Sequence, residues 1–225
     1  MKRITSILCF FASLAASHAA TISWSNSVYT VSGSFGQTLN TGQFVTTGTQ
    51  ILAQNIGGSA LAFDGINFAT GTIGMGGGNH TGFHENTPTA NTLLARQGSY
   101  GVNGVASTVN LTGLTSGYTY RVQVLVYDGR GDVGIPGRTV RFDGINQGQY
   151  ANGIANVTWG NGLLVTGTFT ADSTSQAFTI EAFTSGGASR GGQLNALTLY
   201  QTAVPEPSSA LLGGLGMLAL LRRRR

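Results

Sequence analysis

Between residues 118 and 127 the chain alternates: Tyr118, Tyr120, Val122, Val124 and Val126 fall on one side of an extended backbone, and Thr119, Arg121 and Gln123 on the other. Successive side chains of a strand point to opposite faces, so this pattern predicts a β-strand with the Tyr/Val set in the core and the Thr/Arg/Gln set facing out. The same two-residue period recurs at 105–111, 138–142, 163–170, 177–183 and 193–200, with shorter segments at 51–55, 60–63 and 66–68. Thr, Val and Ile are plentiful, and residues 20–203 hold no long helical period. Short β-branched segments at this spacing predict an all-β fold, a single antiparallel β-sandwich of the jelly-roll kind.

The punctuation between the strands agrees. Glycine accounts for 35 of 225 residues, more than twice the usual share of about 7%. Phe-Asp-Gly-Ile-Asn occurs twice, at 63–67 and at 142–146. An Asp-Gly pair between apolar residues suits a tight type I′ hairpin, whose two central positions need positive φ. The flanking residues of the two copies do not match, so shared turn chemistry explains them better than duplication.

The two ends break the pattern. Lys2 and Arg3 precede an apolar run over 4–16, and Ser17-His18-Ala19 places small residues where a signal peptidase reads. Residues 1–19 are therefore expected to be a signal peptide helix, removed after Ala19. At the other end Val204-Pro205-Glu206-Pro207 is followed by an uncharged run over 210–221 and then by Arg222, Arg223, Arg224 and Arg225. The prolines forbid a regular helix at the start of this tail. Twelve apolar residues rise only about 18 Å as a helix, short of the roughly 30 Å hydrocarbon core, so a short sorting helix is a better reading than a durable anchor. The arginines hold its far end at the cytoplasmic face, which places the preceding domain outside. The order Pro-Glu-Pro, apolar run, arginine cluster resembles the PEP-CTERM sorting tail of bacterial surface proteins. That resemblance implies recognition by an exosortase, cleavage near Pro205 to Pro207, and delivery to the envelope surface or the extracellular polysaccharide matrix by way of a transiently membrane-anchored precursor. The expected division is a signal peptide at 1–19, a β-sandwich at 20–203 and a sorting signal at 204–225.

Removing the tails changes the charge picture. The full chain is formally +4, but Lys2, Arg3 and the four terminal arginines supply half of its twelve basic residues. Between residues 20 and 203 six arginines face seven carboxylates, with no lysine. A nucleic-acid binder needs a concentrated basic face, so that class of partner is excluded. Cys9 is the single cysteine and lies in the signal segment, which leaves the mature chain without thiol or disulfide chemistry.

The stretch 111–124, with Asp128 and Arg130, Gly167 to Asp172, and Leu194-Asn195-Ala196-Leu197, resembles the galactose-binding-like jelly-roll domains of exported PEP-CTERM proteins. The resemblance spans roughly residues 45–200. It implies a binding module rather than a catalyst and transfers no catalytic residue.

Asp128-Gly129-Arg130-Gly131-Asp132 follows the best strand directly, on a loop of the kind that carries binding residues. Asp128 and Asp132 can supply oxygens to Ca²⁺, Asp128 can pair with Arg130 or cap the turn, and Asp128 with Arg130 can hydrogen-bond sugar hydroxyls. A central arginine repels a cation and the acid density is below that of an EF-hand, so no cofactor is expected, with Ca²⁺ as the one candidate. His80, His84 and Glu85 form the densest ligand cluster, yet the glycines around them argue against a helix and the His-Glu-x-x-His spacing is missing, so no metal site is expected. Trp24, Tyr100, Tyr127, Tyr150 and Trp159 lie near strand ends or in Gly/Asn-rich segments, where a ring can stack on a sugar; Trp159, beside Gly160-Asn161-Gly162, is the preferred candidate.

These readings converge on a non-catalytic exported cell-surface or matrix protein with polysaccharide as its candidate ligand, and exosortase and signal peptidase as processing partners. Two rivals stand beside it: a secreted carbohydrate-active hydrolase on the same sandwich, using dispersed carboxylates, and a purely structural matrix subunit. The tail supplies the first test. In a host with the matching exosortase, mass spectrometry of the surface form is expected to find no peptide beyond the Pro-Glu-Pro region, whereas an intact Leu221-Arg222 junction in matrix-located protein would make the segment a retained anchor.

Overall fold

The computed structural model describes residues 20–29, 31–32, 38–39, 41–81, 93–128, 137–151 and 162–203. The predicted signal and sorting helices, including Val204 to Pro207 and Arg222 to Arg225, lie outside these residues. In chain order the strands are β1 (Ser23–Tyr29), β2 (Val31–Ser32), β3 (Thr38–Leu39), β4 (Thr49–Asn55), β5 (Leu61–Phe63), β6 (Ile66–Thr70) and β7 (Gly76–His80). A single turn of helix, α1 (Leu93–Arg96), is followed by β8 (Gly98–Gly101), β9 (Ser107–Thr112), β10 (Thr119–Val126), β11 (Arg138–Phe142) and β12 (Ile145–Ala151). The chain closes with β13 (Gly162–Thr170), β14 (Ser175–Phe183), β15 (Ser189–Gly191), β16 (Gln193–Leu194) and β17 (Ala196–Ala203).

Two sheets face each other as a β-sandwich. One has seven strands in the order β1-β13-β10-β17-β4-β6-β5; the other has five, β12-β11-β14-β15 with β9 also on β14. The alternation read from the sequence explains the pairing. Tyr120, Val122, Val124 and Val126 of β10 are fully buried against Val140 and Phe142 of β11, Phe178, Ile180 and Ala182 of β14, and Val109 and Leu111 of β9 in one continuous apolar core. β10 is flanked by β13 and β17, so it is central and long, and both of its edges are hydrogen-bonded.

The opposite face of β10 departs from expectation. Gln123 is buried and Arg121 half-buried, because the segment just before β4 crosses over them. Arg121 donates from Nη2 to Val45 O at 2.9 Å and to Thr47 O at 2.7 Å, and Gln123 Oε1 accepts from Val45 N at 3.0 Å. The two long polar side chains therefore hydrogen-bond the backbone of the crossing segment and hold it against β10. Burial lowers the Arg121 pKa from its ordinary value, an effect that the neighbouring Tyr200 partly opposes. Further along the same face Leu125, Leu164 and Ala196 meet Tyr29, Phe44, Phe63, Phe68 and Leu94 in a second core.

Three further differences have simple causes. The segments at 105–111 and 118–127 are consecutive but do not pair: β9 lies on β14 and β10 on β13 and β17, so the intervening turn carries the chain from one sheet to the other. The sandwich is antiparallel except where β4 and β6 run parallel through Gln54–Ala69 and Asn55–Thr70. The strand expected at 193–200 is split at Asn195 into β16, which pairs with β8, and β17, which pairs with β10.

Both Asp-Gly pairs are hairpin turns with positive φ at each central residue: 55° and 73° at Asp64-Gly65, 49° and 78° at Asp143-Gly144. They join β5 to β6 and β11 to β12. The aspartates also do a second job. Asp64 accepts from Gly42 N at 2.8 Å. Asp143 accepts from Thr179 N at 2.8 Å through Oδ1 and from Trp24 Nε1 at 2.9 Å through Oδ2. Trp24 belongs to β1 of the larger sheet and packs on Phe142 and Phe178 of the smaller one, at centroid distances of 4.9 and 5.2 Å. Asp143 thus ties the two sheets together at one edge. Asp143→Ala removes these bonds and puts a Cβ without polar compensation at positive φ, so unfolding in urea is expected to show a loss of about 2–4 kcal/mol, with Asp143→Asn losing less. A change within about 0.5 kcal/mol for the alanine variant would contradict this role.

Candidate functional site

The strongest sequence candidate, Asp128, lies two residues beyond β10 with its side chain fully buried, and Arg138 at the start of β11 brings Nη1 to 3.9 Å from Asp128 Oδ2. A buried carboxylate is costly unless paired, so this contact fixes the beginning of β11 against the end of β10. Asp128 is thus an interior anchor, and Arg138 is the more exposed partner of the pair. Arg130, Asp132 and Trp159 lie outside the described residues.

Arg138 remains 19% exposed and lines a pocket of about 270 Å³ with His80, Tyr100, Gly101, Asn103, Gly191 and Gln193. These residues come from β7, β8, the turn after β8, β11, β15 and β16, so the pocket forms where the three-stranded sheet β16-β8-β7 meets the edge of the five-stranded one. Its size lies just under the range of roughly 300–1,000 Å³ usual for small-molecule sites.

Backbone crowding shapes the floor. A Cβ added to Gly191 would lie 1.8 Å from Gly101 O, so only glycine allows β15 and β8 to approach this closely. Gly101 N donates to Gly192 O at 2.8 Å, and Asn103 Oδ1 accepts from Gly191 N at 3.0 Å. Gln193 is opposite Tyr100 in the β16–β8 register and donates from Nε2 to Tyr127 O and, at 3.3 Å, to Asn195 Oδ1. Asn103 and Gln193 are therefore held in place by hydrogen bonds to neighbouring strands and turns.

The aromatic candidates sort by burial. Tyr127 and Tyr150 are fully enclosed, and Trp24 sits partly buried in the inter-sheet core; Tyr100 is 40% exposed and stands over the pocket. Burial, reinforced by the Asp128 carboxylate, pushes the Tyr127 hydroxyl well above the ordinary tyrosine range, so it stays neutral. His80 reaches the pocket rim, while His84 and Glu85 lie outside the described residues; among those residues no group of three His, Cys, Asp or Glu side chains comes together. Arg138, Asn103, Gln193 and the two glycines were missed in the sequence. The one local signal was Gly191-Gly192 beside a strand, a usual mark of close backbone approach.

The tail supplies the comparison that decides the broad class. Residues 203–225 match the model described as the PEP-CTERM protein-sorting motif. The chain carries a PEP-CTERM sorting motif at its C-terminal end. Such a tail marks an exported, surface-sorted protein with an exosortase as its sorting partner. No curated protein shows significant similarity to the chain. Among solved structures, the ANX1 ectodomain from Arabidopsis thaliana is 12% identical with a TM-score of 0.45, covering 71% of this chain and 52% of its own. The structure of plant peptide RALF23 in complex with FER and LLG2 is 14% identical with a TM-score of 0.47, covering 77% and 54%. A Bacteroides uniformis beta-glucuronidase is 15% identical with a TM-score of 0.44, covering 67% of this chain and 18% of its own. The chain spans about half the length of the plant chains it matches. Among the described residues no helix is long and apolar enough to cross a membrane.

Proposed function

We propose that this PEP-CTERM protein is a non-catalytic glycan-binding protein of the cell surface or extracellular polysaccharide matrix, which holds a sugar residue in the Tyr100 pocket. On this reading signal peptidase removes residues 1–19. The apolar tail holds the precursor briefly in the cytoplasmic membrane, and exosortase releases the body outward.

The observation that carries the reading is the exposed Tyr100 ring set among Arg138, Asn103, His80 and Gln193. A pyranose ring has an apolar face and a polar rim, and an aromatic plate bordered by hydrogen-bonding groups complements both. Glycosidases place two carboxylates on either side of the scissile bond. Among the described residues no carboxylate lines the pocket: Asp128 is sealed behind Arg138, and Asp64 and Asp143 are engaged by turn and strand amides.

The full-length chain screened on a glycan array and on chromogenic glycosides separates the readings. Glycan binding without hydrolysis is expected, with Tyr100→Ala weakening binding by about tenfold or more at an unchanged melting temperature. Turnover of any glycoside would favour the hydrolase. Absence of binding to every glycan would favour a structural matrix subunit.

A further inference from the structure

We propose that this protein pairs with a second copy of itself through β1, edge to edge and antiparallel, so that the two seven-stranded sheets run on as one. The proposal concerns a different part of the molecule from the Tyr100 pocket and does not depend on it.

β1 ends the seven-stranded sheet. It lies on β13 over its whole length, from Ser23–Thr168 to Tyr29–Gly162, with no shift of register. Peptide groups of alternate residues in a strand point away from its neighbour, so Ser23–Val28 offers an unbroken row of donors and acceptors to the outside. Among the described residues no backbone group pairs with that row.

An exposed edge is a template for another strand, and proteins blunt such edges with shortness, bulges, prolines or charge. β5 and β15 have three residues each, the ladder of β12 on β11 shifts register twice, and that of β7 on β8 shifts once. β9 is regular and uncharged, but Val109 and Leu111 are in the core, and its exposed residues Thr108, Asn110 and Thr112 give a partner little apolar surface. β1, Ser-Trp-Ser-Asn-Ser-Val-Tyr, has seven residues with no charge, proline or bulge. It also leaves Val28 56% exposed.

The residues of β1 name the occupant. Two identical antiparallel strands in one sheet are related by a two-fold axis perpendicular to it, and the register that uses the whole of β1 centres on Asn26. Asn26 then faces its own copy, Trp24 faces Val28 of the second copy, and Ser25 faces Ser27 of the second copy. Side chains two apart share a face, so Trp24, Asn26 and Val28 meet on one side and the serines on the other. An aromatic opposite a β-branched residue is a favourable cross-strand pair, and without charge in β1 the two copies meet without repulsion. One strand from each copy makes an interface well under the roughly 1,200 Å² of a stable complex, so a Kd of about 10–100 µM is expected.

The test is sedimentation of the full-length chain over about 1–500 µM, in a mild detergent that keeps its apolar ends from associating. The unaltered protein is expected to pass from monomer to dimer across this range. Ser25→Lys with Ser27→Lys sets lysine opposite lysine and is expected to stay monomeric, as is Ser25→Glu with Ser27→Glu; an equal mixture of the two variants is expected to dimerise again. An unaltered protein that stays monomeric throughout overturns the proposal. So does a dimer that both variants retain, or a mixture that stays monomeric although each variant keeps the melting temperature of the unaltered protein. Register is read separately in a Cys9→Ser background, which removes the single native thiol. Asn26→Cys would there bring its Cα to about 4.5–5.5 Å from its copy, within disulfide reach, so mild oxidation is expected to give a covalent dimer, whereas Val28→Cys faces Trp24 and is expected to give far less. No cross-link from Asn26→Cys, or equal cross-linking from both positions, contradicts the pairing.

Discussion

Asn195 is the side chain on which the architecture turns. It is fully buried at the break between β16 and β17. Its Oδ1 accepts from Tyr127 N at 2.7 Å, and its Nδ2 donates to Ala95 O at 2.8 Å and Gln97 O at 3.0 Å. Its backbone N donates to Leu125 O and its backbone O accepts from Ile56 N, at 2.9 and 2.8 Å. One residue therefore joins the end of β10, the turn after β4, α1 and the start of β8. Each of these backbone groups is in the interior, where an unmade hydrogen bond costs the full desolvation of the group, so the amide substitutes for a sheet ladder that cannot continue at this corner.

The pocket inherits its geometry from that corner. Asn195 sends β16 away from β17 and onto β8, which sets Gln193 opposite Tyr100. The same hub fixes Tyr127, and Asp128 follows it directly into the core to meet Arg138. Arg138 reaches solvent with its inner side already held. Ordering a long side chain costs rotamer entropy, and the contact with Asp128 offsets part of that cost for Arg138 within the fold itself. The wall of the pocket is thus an extension of the core hydrogen bonding.

How much of this was legible follows from which residues have a local signature. β10, β11, β13 and β14 are long, half-buried strands, and their two-residue alternation showed them within a residue or two of their observed bounds. The Asp-Gly pairs were equally clear because positive φ at two adjacent positions is a strictly local demand. α1 is four residues long, too short for a helical period to register. The second, covered face of β10 was misread as solvent-facing because Arg121 and Gln123 are polar; what encloses them is a segment more than seventy positions earlier in the chain. Burial of Asp128 was hidden for the same reason, since its neighbours Gly129 and Arg130 have the composition of a surface turn. Tyr100 was visible as one of several aromatics near glycines, but its exposure, set against the burial of Tyr127 and Tyr150, depends on which sheet each segment joins. The pocket draws on separate elements spread from β7 to β16, and no single window of sequence contains it.

The measurement that tests the account most directly is the stability of Asn195→Asp, which preserves shape and the acceptor for Tyr127 N but sets an oxygen against the carbonyls of Ala95 and Gln97. Equilibrium unfolding in urea is expected to show a loss of about 3 kcal/mol or more relative to the unaltered protein. A loss below about 0.5 kcal/mol would show that the corner is held by something other than Asn195, and the central claim would fail.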